Sequence, residues 1–175
     1  VAGLTAPLVA VIDSTDIAAL TSAQLGVLGT TLIGAITVDA VAGLTTDQVR
    51  VLSSTQVKAL TVDVVGRLTS DQVGAIATGS LAGLTTNQVA ALTTDSVAGL
   101  TSSQIGVLTS TQVRAFEAED FVALSSEQIS ELSTSAVAGL TATLVAVIDS
   151  TDIAALTSAQ LGVLGTTLIG AITVD

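Results

Sequence analysis

Leu84–Ala91 reads Leu-Thr-Thr-Asn-Gln-Val-Ala-Ala, and Leu92 restarts the pattern. The same octad runs outward in both directions without a slip, from Val1 to Asp175. With Val1 as its first position, that position is Val, Ile or Leu everywhere except Phe121, and the fourth is Leu or Ile everywhere except Phe116. A period this strict marks a repeat architecture, in which each unit buries its apolar side against others like it. Val41, Leu44, Val49, Leu52, Val73, Leu84, Val89 and Leu92 are therefore expected in the core.

The two apolar positions are spaced three, then five. A strand puts residues i and i+3 on opposite faces, whereas a helix puts them on one face. The fifth position is Thr at 13 sites, Ser at three, Asp at two and Gly at two, with Ala77 and Glu117 as the departures. Thr, Ser and Asp cap helix N-termini, because a short side-chain oxygen accepts from an N–H that has no partner inside the helix. Gln fills the eighth position in nine octads, always three residues after Thr or Ser. That is a capping box, expected at Thr21 with Gln24, Thr45 with Gln48, Thr69 with Gln72, Thr85 with Gln88 and Thr101 with Gln104. The Leu before each Thr and the aliphatic after each Gln sit where a hydrophobic staple places them.

The other positions agree with a helix. Acids at the seventh, such as Asp47, Asp71 and Glu127, lie in the first turn, where negative charge suits the dipole. Arg50, Lys58, Arg67 and Arg114 fall at the second or third position, near the helix end. Small residues otherwise fill those two positions. They are expected to admit close neighbours, and Gly there to stop the helix.

Two buried aliphatics in each octad cannot offset the entropy of ordering it, so the octads must stack. The expected fold is all-α, a solenoid or superhelix of very short capped helices, one per octad. First and fourth positions would fill its axis and the sixth and seventh would face water. The alternative is a two-sided β-solenoid with two octads per coil, which the Val, Ile and Thr content suits.

A longer period lies over the octad. Val1–Asp39 returns as Val137–Asp175 with one change, Pro7 to Thr143, after 17 whole octads. Residues 1–175 thus read as one continuous solenoid, with 1–136 as one long unit and 137–175 as the start of the next. The chain begins at Val1 rather than Met and is expected to be a piece of something longer.

Composition narrows the function. The chain has no Cys, His, Met, Trp or Tyr, two Phe and a net charge of −11. The acidic balance argues against nucleic acid, which needs clustered Lys and Arg. Uncharged runs at 17–38 and 72–94 are long enough to span a bilayer. Thr, Ser and Gln interrupt both, and the octad passes through unchanged, so no membrane insertion is expected. With no His or Cys, a Ser or Thr nucleophile lacks its usual base, and the chain is not expected to be an enzyme or to need a cofactor.

Two acidic groups are weak metal candidates. Asp13 and Asp16, repeated as Asp149 and Asp152, form a DxxD pair. Glu117, Glu119 and Asp120 lie in the segment Phe116–Phe121, FEAEDF, which holds both aromatics. The structural reading of the first is an N-cap with its N3 acid. That of the second is a pair of core Phe beside a solvated turn. Neither matches an EF-hand loop.

The run Leu68–Ala77, LTSDQVGAIA, resembles the opening of repeats in the transcription-activator-like effectors of plant pathogens. The second helix, base-reading pair and basic face of that family have no counterpart here, so the resemblance implies shared capping chemistry and not DNA binding. The tandem LTxxQ(V/I) octads resemble repeat tracts of large bacterial surface and secreted proteins, over the whole chain. That resemblance implies an extracellular or cell-surface structural role. The expected function is a filament, fibre or stalk whose partners are copies of itself. The alternative is an adhesin-type or scaffold solenoid that binds a ligand or protein along one face.

Overall fold

The computed structural model describes residues 3–170 and 172, with Thr167 described in its backbone alone. Val1, the expected start of the octad series, and Asp175, the last residue of the second long unit, lie outside the described residues. Within them 21 short helices follow one another, from α1 (Ala6–Val9) to α21 (Thr166–Ile169), and there is no strand. The all-α solenoid is the fold, and the β-solenoid alternative is overturned.

Each helix is one octad's work. The fifth residue is extended and in most octads its side chain caps the helix, as at Thr85 with φ −75° and ψ 162°. Four to six helical residues follow, and the chain then leaves the helix through an extended fourth residue, as at Leu60 and Ile76. Glycine does not stop these helices through a left-handed turn, contrary to expectation. Gly34, Gly66 and Gly99 cap their helices in the right-handed region, and among the described residues only Gly3 has a positive φ, at 105°. A reversal built from two successive extended residues has no need of a left-handed one.

The helices stack with a single offset. α1 packs on α4 (Thr30–Ile33), and the same step of three runs through the described residues to α18 (Ala142–Val145) on α21. Finer contacts link residues 25 to 31 apart, so between three and four octads complete one superhelical turn. One continuous apolar core results, built from first and fourth positions. The eighth position also turns inward, which the expected axis omitted: Ala40, Gln48, Gln88, Ala136 and Leu144 are all buried there. The seventh faces solvent wherever its side chain is described.

Small residues at the second and third positions permit this spacing. A Cβ on Gly43, Gly83, Gly99 or Gly139 would lie 1.8–2.4 Å from the carbonyl oxygen of Ser14, Ser54, Ser70 or Ser110, one turn back. Backbone meets backbone at these sites, and no side chain can yield.

The octad with the weakest start is α10 (Thr78–Leu81), whose N-cap Ala77 offers no side-chain bond and whose Gly79 has open space at its Cβ position. Ala77→Ser is expected to stabilise the protein by about 1 kcal/mol. Gly79→Ala adds about 0.5–1 kcal/mol by removing backbone entropy from the unfolded chain. Urea unfolding measures both, and a loss of stability in either would contradict the local account.

Candidate functional site: the seam between turns

The capping glutamine does two jobs. At the helix start, Thr85 Oγ1 accepts from the Gln88 backbone N–H at 3.2 Å, and Gln88 Oε1 accepts from the Thr85 N–H at 2.8 Å. The other end of the same amide crosses to the previous superhelical turn. There Gln88 Nε2 donates to the carbonyls of Val57 at 3.1 Å and Leu60 at 2.7 Å. These are first- and fourth-position carbonyls at a helix C-terminus, where backbone acceptors are left without intrahelical partners. One side chain thus caps its own helix and closes the end of another, one superhelical turn earlier.

The arrangement recurs as a ladder. In all nine Thr/Ser–Gln octads, Oε1 accepts from the N-cap N–H at 2.7–3.0 Å. Gln48 Nε2 reaches Ile17 and Leu20, Gln72 reaches Val41 and Leu44, and Gln104 reaches Val73 and Ile76, at 2.6–2.9 Å. Gln56, Gln112 and Gln160 bridge turns in the same way, and Gln128 reaches the Leu100 carbonyl. Gln24 forms its capping box with Thr21 but stands exposed, since no described turn lies beneath it. Among the described residues, backbone–backbone bonds outside the helices join residues three or four apart. Every hydrogen bond between described turns therefore involves a side chain.

Where Gln is absent, the eighth position adapts. Ser80 Oγ donates to the Leu52 carbonyl at 2.7 Å. Asp120 and Asp152 accept at 2.7 Å from Thr94 Oγ1 and Ser126 Oγ, each 26 residues back. Ala40, Val64, Ala136 and Leu144 make the seam wholly apolar. No described side-chain N or O is buried without a hydrogen-bond partner.

The metal candidates are placed as follows. Asp13 caps its helix, with Oδ1 accepting from Thr15 and Asp16 at 2.8 and 2.9 Å, while Asp16 Oδ2 accepts from the Asp13 N–H at 3.3 Å. Phe116 and Phe121 are buried with ring centroids 6.1 Å apart, and Glu117 and Glu119 point to solvent beside them. Asp120 turns to Thr94 instead of joining the two glutamates. Among the described residues no three acids, His or Cys gather as a metal would require. A surface hollow of about 700 Å³, open to solvent, runs past Arg50, Asp71, Gly74, Asp95, Gly99 and Thr101. Beside it Arg50 meets Asp47 at 2.7 Å, an exposed pair worth little.

A family model described as the ALTTAQ repeat matches residues 9–46, 33–62, 42–78, 65–102 and 73–110, five overlapping copies that together take in more than half of the chain. The chain belongs to the ALTTAQ repeat family. In its register the six letters of that name run from third to eighth position. Ala19–Gln24 reads ALTSAQ, and Ala155–Gln160 repeats it. In this chain that hexad spans the helix junction and ends on the glutamine that bridges turns. No curated protein matches the chain.

Local sequence reasoning finds the capping half of this site and misses the bridging half. The missed signal is the amide itself. A box needs only an acceptor at N3, which Glu supplies as well as Gln. Not one Glu stands at the eighth position in the chain. A preference for Gln over Glu marks a second, donating task.

Proposed function

We propose that this ALTTAQ repeat protein is a non-catalytic structural element, an extracellular or cell-surface filament or stalk that associates with copies of itself. In this reading it holds no nucleic acid and does not enter a membrane. The observation that carries the reading is the unvarying helix step. Each turn repeats the same step of three helices over one continuous core, so the fold sets a width and leaves length to copy number. The excess of 11 negative charges keeps such a rod soluble. No described helix is long and apolar enough to cross a membrane. The resemblance to bacterial surface repeat tracts supports the location.

Electron microscopy of the purified chain tests this. Thin rods of one width, joining into longer filaments with rising concentration, are expected. Compact particles that stay single at every concentration would sink the filament reading.

The second reading, a scaffold that holds a ligand along one face, rests on the open hollow by Arg50, Asp71 and Asp95. It predicts a partner whose binding is lost in Asp71→Ala/Asp95→Ala without any change in particle length.

A further inference from the structure

A second surface hollow, of about 420 Å³, is lined by Thr86, Ser110, Thr111, Arg114 and Ala115. It sets three hydroxyl groups, each able to donate, beside one guanidinium. Seven octads earlier the same five places hold Thr30, Ser54, Thr55, Lys58 and Ala59, with Lys for Arg as the single change of kind. A hydroxyl contact recurs with them. Thr109 Oγ1 lies 3.0 Å from Thr111 Oγ1, and Ser53 Oγ lies 3.1 Å from Thr55 Oγ1. The core does not demand a cation at Lys58 and Arg114, since both are exposed.

Seven octads correspond to two superhelical turns. A helix packs on the helix three before it, and its glutamine bridges to the end of the helix four before it, as Gln48 does to Ile17 and Leu20. One turn therefore lies between three and four octads, and seven octads return a side chain to the same flank two turns on. Lys58 and Arg114 form one such row. Asp71 and Glu127 form another with the same spacing of 56 residues. The acid row follows the cation row by 13 residues, about half of the 25 to 31 that separate contacts between turns. The two rows therefore stand on opposite flanks. All four side chains are exposed, and the one ion pair among the described residues joins Arg50 to Asp47 instead.

We propose that copies of the chain lie side by side, the cation row of one against the acid row of the next, with each carboxylate seated beside the hydroxyls of a hollow. This rests on the self-associating reading above and names a lateral contact surface for it. Charge selects the occupant. In a chain of 15 acids and four bases, a second copy supplies the carboxylates that Lys58 and Arg114 lack. Equal spacing lets both teeth of a row engage at once, which matters because a single exposed ion pair holds little. The two flanks differ, so the contact is heterologous. A copy bound on one flank still offers the other, and the association spreads as a sheet of rods instead of closing as a dimer.

Charge reversal tests the contact. Lys58→Glu/Arg114→Glu presents acids on both flanks, and Asp71→Lys/Glu127→Lys presents bases on both. At low salt, sedimentation velocity of either variant alone should show association weakened about tenfold or more, with the circular dichroism spectrum unchanged. Electron micrographs should show wild-type rods lying flank to flank and the variants as single rods. An equal mixture of the two variants should associate again, and high salt should disperse it. Asp63→Lys/Glu119→Lys makes the same change in charge outside both rows, again 56 residues apart, and should keep the association. Association that survives both reversals, a mixture that stays apart, or an equal loss in the Asp63/Glu119 variant would overturn this contact and leave the self-associating reading standing. A chain that stays monomeric at every concentration and salt would overturn both.

Discussion

Gln88→Ala is expected to cost about 2–5 kcal/mol, and Gln24→Ala about 0.5–1 kcal/mol, although both remove the same residue from the same capping box. Gln88 is buried, and its amide is the hydrogen-bond partner of the Thr85 N–H and of the Leu60 carbonyl on the turn below. The Leu60 carbonyl stays buried when the side chain is cut back and the half-buried Thr85 N–H loses its acceptor, and each buried polar group left unpaired costs about 1–3 kcal/mol. A small void adds to this. Gln24 has solvent around it, so water takes over what its amide leaves. Stability in a stacked array is close to a sum of unit and neighbour terms. A cut at Gln88 therefore weakens one seam in the middle of the chain, and urea unfolding followed by circular dichroism should broaden or split. Equal losses for the two variants would mean that the bridge to the previous turn contributes nothing.

Gly43→Ala should cost about 2–4 kcal/mol, at the upper end of what overpacking does. The same change in an ordinary helix gains about 0.5–1 kcal/mol, so the sign itself is diagnostic. The new Cβ would lie 1.8 Å from the Ser14 carbonyl oxygen and 2.5–2.6 Å from the carbon atoms beside it. Relief requires the two turns to move apart, which loosens the seam between α2 (Ser14–Ala18) and α5 (Val38–Val41). Hydrogen exchange should quicken in both helices while helices past the middle of the chain keep their protection. An unchanged midpoint and unchanged exchange would show that the turns are not as close as Gly43 implies.

The repeat, the helices and their single core follow from positions one, four and five, because each of those roles is settled within a few residues of sequence. What escaped is settled a whole superhelical turn away. The inward turn of the eighth position depends on the superhelical step, which no local window contains. The same holds for Gly43: its value lies in the Ser14 backbone opposite and not in its own φ. Gly34 and Gly66, near helix ends where glycine was expected to stop the helix, are right-handed for a related reason, since the reversal is carried by the extended residues that follow. The FEAEDF segment stood apart by composition, yet Phe116 and Phe121 occupy ordinary fourth and first positions, and Asp120 serves as an eighth-position side chain like any other.

Because every octad offers the next turn the same two carbonyls and, Phe116 and Phe121 apart, an aliphatic pair, no octad is committed to a particular partner. Inserting or deleting one whole octad changes which units meet and leaves the kind of contact unchanged, whereas one residue more or fewer would rotate every downstream side chain out of phase. The coding sequence can therefore lengthen or shorten by slippage and recombination in steps of one octad, each intermediate remaining foldable. The long duplication spans 17 whole octads, and Pro7 against Thr143 is the single difference between Val1–Asp39 and Val137–Asp175, which is what such an exchange would leave. The bridging amide makes the molecule a ruler whose length selection can adjust without redesigning a core.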